Sequence, residues 1–175
     1  SRANIHKRMS GNASRNISDY LQEFIISRDD FETIGFYMPI QTEIDITPAV
    51  SELRSIGKIL CLPVVVSNKE PLKFVIWNKN SGLTSGKYGV LVPTSQETVD
   101  PDLILCPMLS FDTRGYRLGY GGGFYDRTIN WLSKKKKIFA LGCAYSEQIS
   151  SKMLPIDKYD KPLDALLTEN GLTFF

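Results

Sequence analysis

Arg117-Leu118-Gly119-Tyr120-Gly121-Gly122-Gly123-Phe124-Tyr125-Asp126-Arg127 lies between a short apolar run, Leu103 to Cys106, and a segment with helical spacing, Phe124 to Leu132. Strand, glycine loop, helix is the order in which backbone N–H groups can be turned toward a phosphate. Gly119, Gly121, Gly122 and Gly123 leave the main chain bare, so a polyphosphate can approach without meeting a Cβ. Arg117 and Arg127 flank the loop with fixed positive charge, and Asp126 brings a carboxylate to the start of the helix. The stretch reads as a nucleoside-triphosphate site. It is not the P-loop pattern, because no Gly-Lys-Ser/Thr closes it, and Phe124 stands where the dinucleotide fingerprint needs its last glycine.

Outward from the loop, strands and helices alternate. Helical spacing places Ile17, Tyr20, Leu21, Phe24 and Ile25 on one face of a helix over residues 14–28. The basic residues 2–9 read as the end of another helix whose beginning lies upstream. Thr33 to Met38 alternates as a first strand, and Thr47-Pro48 opens a helix that stops at Gly57. Lys58 to Val66 is nearly continuous apolar sequence, as in a strand covered on both faces, and Leu72 to Trp77 is a further strand. Residues 78–96 read as loop with short extended pieces. After the loop come strands over Ile138 to Cys143 and Ala165 to Thr168, a short helix around Glu147 to Met153, and an edge piece at Leu172 to Phe175. The expectation is one three-layer α/β/α domain over residues 1–175 with a mostly parallel, Rossmann-like sheet.

Composition narrows the function. Twenty-one Lys plus Arg against 19 Asp plus Glu leave a net charge of +2, too small to point to nucleic acid or a membrane. Lys134 to Lys137 reads as a solvated helix end, where cations are favoured. The single histidine, His6, excludes a His-dependent triad and a multi-histidine metal site. Cys61, Cys106 and Cys143 lie in apolar runs without Cys-x-x-Cys spacing and read as core residues of a reduced, cytoplasmic protein. No apolar stretch is long enough to span a membrane, and no signal peptide is visible.

Phe111-Asp112-Thr113-Arg114-Gly115-Tyr116-Arg117 and the loop that follows, through Tyr125-Asp126, resemble the signature of the 5-formyltetrahydrofolate cyclo-ligase family, FD-x-x-G-x-RLG-x-G-x-G-[FY]-YD. Tyr37-Met38-Pro39 through Glu43-Ile44-Asp45, Leu62-Pro63 with Trp77, and Pro155 through Asp160 to Asp164 fall in the family's order. The resemblance covers residue 33 to the end. It implies ATP-dependent closure of 5-formyltetrahydrofolate to 5,10-methenyltetrahydrofolate, with release of ADP and phosphate. It also implies site residues. Arg117, Leu118, Gly119, Tyr120, Gly121, Gly122, Gly123, Phe124, Tyr125 and Asp126 would hold ATP, together with Arg2 or Arg8 from the basic N-terminal segment. Met38, Glu43, Trp77, Tyr120, Gly121, Gly122, Gly123 and Phe124 would contact the folate, and Asp126 with Asp160 would hold Mg²⁺. Arg117 and Tyr125 are the candidate catalytic groups, with Tyr125 equally readable as a core aromatic. By spacing alone Glu43 is also readable as a solvated loop carboxylate. The chain departs from the pattern at Gly122, where some members have lysine, and at Leu91 and Val92, where many have an acid. Those departures keep a second reading open, an inactive ATP- or folate-binding module of the same fold. The partners implied are folate and ATP, acting on a monomer or weak homodimer.

Overall fold

A computed structural model of the chain describes residues 1–175. Helix α1 (Arg2–Ile26) is continuous where two separate segments were expected. Ile5, Met9, Ala13, Ile17, Leu21 and Ile25 recur at every fourth position and lie buried or partly buried against the sheet. That stripe carries the helix through Gly11, whose side faces open space.

Strand β1 (Thr33–Gly35) is shorter than the alternation suggested, although the Phe36 amide still bonds the Cys61 carbonyl. Thr47–Ala49 forms a 3₁₀ turn that runs into the short helix α2 (Val50–Ser55). Then come β2 (Ile59–Val64), β3 (Lys73–Ile76), and a hairpin of β4 (Leu83–Ser85) and β5 (Leu91–Pro93). Strand β6 (Leu103–Pro107) leads into a second hairpin, β7 (Ser110–Phe111) with β8 (Arg117–Leu118). Helix α3 (Phe124–Leu132) has the bounds read from its spacing. After β9 (Phe139–Cys143), the helix expected near 147–153 is only a 3₁₀ turn at Ser146–Gln148. Strands β10 (Ala165–Thr168) and β11 (Gly171–Phe174) close the chain as an antiparallel pair.

The seven-stranded sheet has the order β11-β10-β9-β6-β1-β2-β3. All neighbours from β10 to β2 are parallel, and only the two edge pairs are antiparallel. Alternate residues of each strand face opposite sides. Leu103 and Leu105 join the core under α1 and α2, while Ile104 and Cys106 join the core under α3. This is the three-layer α/β/α arrangement. The chain moves from β1 outward to β2 and β3, then returns to place β6 on the other side of β1. The strand order therefore reverses between β1 and β6, and the crevice at the carboxyl ends of such strands is where open α/β sheets bind ligands.

Lys134 to Lys137 proves to be partly structural. Lys136 bridges the Asp102 carboxylate and the Asp100 carbonyl, and Asp102 in turn accepts the amides of Glu32 and Thr33 at the start of β1. Lys135 pairs with Asp100 at 3.5 Å and Lys137 with Asp30 at 3.8 Å.

Candidate active site

The β1 and β6 loops converge with the glycine loop at that crevice. After β1, the Tyr37 hydroxyl donates to the Ile44 carbonyl at 2.7 Å and pins the loop between them. That places Glu43 inward, with only 4 % of the residue exposed. Burial raises the pKa of Glu43; the Ile40 amide, Arg2 and the Tyr120 hydroxyl act the other way without cancelling it. A carboxylate is therefore held here at a cost, in a place where a ligand could use it.

Arg2 reaches the same point from the first turn of α1. Its guanidinium donates to Thr42 Oγ1 at 2.9 Å, to the Met108 carbonyl at 3.1 Å, and to the Tyr120 hydroxyl, over whose ring it lies at 5.4 Å. Its Nη1 stands 3.9 Å from Glu43 Oε1. Three elements distant in sequence thus meet through one side chain, with Arg2, Glu43 and Tyr120 forming a charged chain of contacts. Gln148 supports the meeting point from behind, donating to the Met108 and Leu109 carbonyls at 2.8 and 3.1 Å.

The glycine loop is exposed from Gly119 to Gly123. Gly121 and Gly123 have φ of 86° and 63°, which L-residues with side chains rarely adopt. A Cβ at Gly122 would lie 2.6 Å from the Phe124 ring, so a side chain there would require that ring to turn aside. Leu118, on β8, is exposed beside the loop.

Beneath the loop lies an ion pair. Arg117, 5 % exposed at its side chain, donates from Nη2 to Asp126 Oδ1 at 2.9 Å and from Nη1 to the Lys161 carbonyl at 2.9 Å. The Lys161 amide closes the ring of contacts by donating to the same Asp126 oxygen at 3.0 Å. Asp160, the neighbour of Lys161, accepts the Asp157 amide on Oδ2 at 2.7 Å. Asp126 thus lies against the 160–161 segment, with Asp126 Oδ2 and Asp160 Oδ1 left free of protein hydrogen bonds. The chain has no cluster of three or more His, Cys, Asp or Glu groups able to hold a metal. Two carboxylates still fit Mg²⁺, which keeps several waters and binds through one or two carboxylates plus phosphate oxygens.

Tyr125 is half-buried against the core under α3. Burial raises its hydroxyl pKa well above the usual value; nearby Glu43 raises it further and Arg117 lowers it. Its phenol therefore lies within the field of both groups and stays protonated. Met38 packs, partly buried, against the larger core at the start of the Glu43 loop.

Trp77 is not brought to this site. Its amide bonds the Leu60 carbonyl, and Leu60 lies in register with Ile34 and so with Leu103, at the amino ends of the parallel strands. Met108 lies five residues further along the β6 direction, roughly 16 Å away at the rise of a strand. There Trp77 lines a groove beside α2, with the Arg54 guanidinium 4.4 Å over its ring and bonded to its carbonyl at 2.7 Å.

Several site residues had no mark in the sequence. Thr42 acts through one hydrogen bond from Arg2, and Gln148 through two to the Met108 and Leu109 carbonyls, all groups far along the chain. Tyr88, left-handed at φ 59° and 65 % exposed, faces Phe124 at 6.2 Å across the mouth of the loop. Only its position in a Gly-rich hairpin hinted at a tight turn.

A model of the 5-formyltetrahydrofolate cyclo-ligase family matches residues 1–169, which includes every element of this site. The chain belongs to that family. A 5-formyltetrahydrofolate cyclo-ligase of Escherichia coli (strain K12) is 33% identical over 143 residues, covering 78% of this chain and 77% of its own. One from Haemophilus influenzae is 29% identical over 174 residues, covering 95% and 90%. Among solved structures, the Aquifex aeolicus 5,10-methenyltetrahydrofolate synthetase matches with TM-score 0.75 at 31% identity, over 99% of this chain and 88% of that one. A Mycoplasma pneumoniae 5,10-methenyltetrahydrofolate synthetase shares the fold, with TM-score 0.73 at 23% identity over 96% of each chain. No helix is long and apolar enough to cross a membrane.

Proposed function

We propose that this chain closes 5-formyltetrahydrofolate to 5,10-methenyltetrahydrofolate at the expense of ATP, releasing ADP and phosphate. The observation that carries the reading is a family match running through residue 169, on a chain whose glycine loop, Glu43 and Arg117–Asp126 pair meet at the β1–β6 crevice.

The N5-formyl group is an amide and a poor electrophile. Transfer of the γ-phosphoryl group to the formyl oxygen makes that oxygen a leaving group. N10 then attacks the formyl carbon and gives up its proton, the C–O bond breaks, and phosphate leaves as the ring closes. No protein nucleophile is needed. The three cysteines suit that scheme, because burial raises each thiol pKa, that of Cys106 to about 12, so no thiolate is available.

The residues supply position and charge. Backbone N–H groups of Gly119 to Gly123 take the phosphates, and the Arg117–Asp126 pair fixes the loop's base. Glu43 accepts hydrogen bonds from the pterin ring, with Met38 beside it and Tyr120 sharing the contact. Tyr125, packed against the core under the loop, is the candidate donor to an oxygen of the transferring group. Mg²⁺, held by Asp126 and Asp160, would offset phosphate charge when bound. Arg2 serves ATP and Glu43 together. Buried free cysteines fit a reducing cytoplasm.

The test is to mix the protein with MgATP and 5-formyltetrahydrofolate and follow the near-ultraviolet absorbance of the methenyl product. ATP binding without product would favour the inactive binding module, and binding of neither substrate would sink both readings.

A further inference from the structure

Arg127 carries a positive charge in the first turn of α3, where the helix N-terminus disfavours cations. Its charge is taken up elsewhere. Nη2 donates to the Gly122 carbonyl at 2.8 Å and to the Asn68 carbonyl at 3.0 Å, and Nε faces the Glu70 carbonyl at 3.4 Å. The guanidinium stacks 5.1 Å from the Phe124 ring centroid, and a Cβ at Gly123 would come within 2.8 Å of its Nη1. The fork is therefore aimed at backbone oxygens, one on the glycine loop and two on the segment between β2 and β3.

That segment has a second attachment. The Asn68 side chain accepts the Tyr88 hydroxyl at 2.6 Å, and the Val66 carbonyl accepts Lys87 Nζ. Residues 66–70 thus join the glycine loop, through Arg127, to the β4–β5 hairpin that carries Tyr88. Tyr88 and Phe124 face each other at 6.2 Å across the gap between these two walls. Without Arg127, no side-chain bond ties the Gly122 carbonyl to residues 66–70.

We propose that Arg127 is a positioning residue that fixes the spacing between the glycine loop and the Tyr88 wall, so that both substrates meet a preformed cleft. This rests on the cyclo-ligase reading of the same site. The Arg127 guanidinium is engaged by the Gly122, Asn68 and Glu70 carbonyls and the Phe124 ring, so it is assigned a positioning role and no substrate contact. Its removal spreads the loop over more conformations, and binding must then select the competent fraction. If that fraction falls to about a tenth, apparent affinity falls about tenfold while turnover of the bound complex is retained. Because the two walls are joined, the loss is shared by ATP and folate.

The experiment compares wild type, Arg127→Ala and Arg127→Lys by steady-state kinetics, with amide hydrogen exchange on the same full-length proteins below their melting temperatures. Arg127→Ala raises KM for both substrates roughly five- to tenfold and leaves kcat within about threefold. Arg127→Lys, keeping the charge but not the fork, lies between. Exchange quickens at residues 119–123 and 66–70 together, with β6 and β9 still protected. Unchanged KM values, a fall in kcat alone, or faster exchange in only one of the two segments overturns the proposal. A wild-type protein that makes no methenyl product refutes the activity instead, and the exchange comparison still decides whether Arg127 couples the two walls.

Discussion

Asp126 Oδ1 accepts two donors at once, the Arg117 guanidinium at 2.9 Å and the Lys161 amide at 3.0 Å. Arg117 is therefore the buried base of the glycine loop, tied to the acidic C-terminal segment on one side and to α3 on the other. The same pair joins a candidate metal ligand to a candidate catalytic group, so neither acts independently.

Removing either partner should thus cost more than its own contact. Arg117→Ala is expected to lower kcat about 10²-fold or more, on the scale of one preorganised donor. Asp126→Asn should raise the Mg²⁺ concentration needed for half-maximal activity and also lower kcat, because the Arg117 anchor weakens. The double variant should be little worse than the worse single one, with a coupling of at least about 1 kcal/mol. Simple multiplication of the two losses in kcat/KM would show that the ion pair is incidental.

Glu43 should show function and stability pulling apart. Burial raises its pKa, so in the folded state ionisation is disfavoured. The sign follows: the contribution to stability is full below the unfolded pKa of about 4.3 and is lost as pH rises through the folded value. At neutral pH, Glu43→Gln should leave the melting temperature unchanged or higher, while KM for the folate rises about tenfold or more. Loss of Arg2's counter-charge opposes this, but the Arg2–Glu43 contact is long, at 3.9 Å, and Arg2 keeps its bonds to Thr42, Met108 and Tyr120. A fall in melting temperature beyond a few degrees would mean that the ion pair outweighs the desolvation.

Tyr120→Phe tests the same carboxylate by pH. The Tyr120 hydroxyl holds the pKa of Glu43 down against burial. Without it the pKa rises further, and if the ionised form binds folate, the acid limb of kcat/KM moves to higher pH. An acid limb that stays in place would separate Tyr120 from Glu43.

Much of this arrangement was legible because it is local. Gly123 before Phe124 and the apolar pair Ile129 and Leu132 set α3 where the spacing put it. What escaped was long-range or too short to have a period. β7 and β8 contribute two residues each, and no alternation can be read from two residues. Arg2 meets Thr42 across 40 positions and Tyr120 across 118, and only the fold brings them together. Trp77 shows a subtler failure. Leu72 to Trp77 was readable as a strand, but not as one running antiparallel to β2. That reversal sends its last residue to the amino edge of the sheet, away from the crevice.

Trp77 is accordingly expected to matter for folding more than for binding. Its ring packs near Phe36 at 6.4 Å and under Arg54 at 4.4 Å. Trp77→Ala should cost about 2 kcal/mol, combining lost apolar burial with a partly desolvated cation–π contact. KM for the folate should stay within about twofold. A large rise in KM with normal stability would return Trp77 to the substrate.

Asp112 offers the last test, because one buried carboxylate organises the turn that presents Arg117. Only 2 % of the residue is exposed. It accepts the amides of Arg114, Tyr116 and Leu154 at 3.0, 3.3 and 3.0 Å, and Arg114 Nη2 at 2.7 Å. Burial pushes its pKa up, but the Arg114 side chain and the amides together prevail and lower it. A lowered carboxylate pKa contributes stability above the unfolded value, near 3.9, and loses it as pH falls through the folded value. Asp112→Asn replaces one acceptor by an NH₂ facing donors, at a cost of about 2 kcal/mol, or roughly 4–8 °C in melting temperature for a chain of this size. The variant's deficit should be full at neutral pH and shrink as pH falls below about 3.9 toward the lowered folded value, through which the wild-type carboxylate protonates as well. A deficit that is the same at pH 3 and pH 7 would show that shape rather than charge holds the turn.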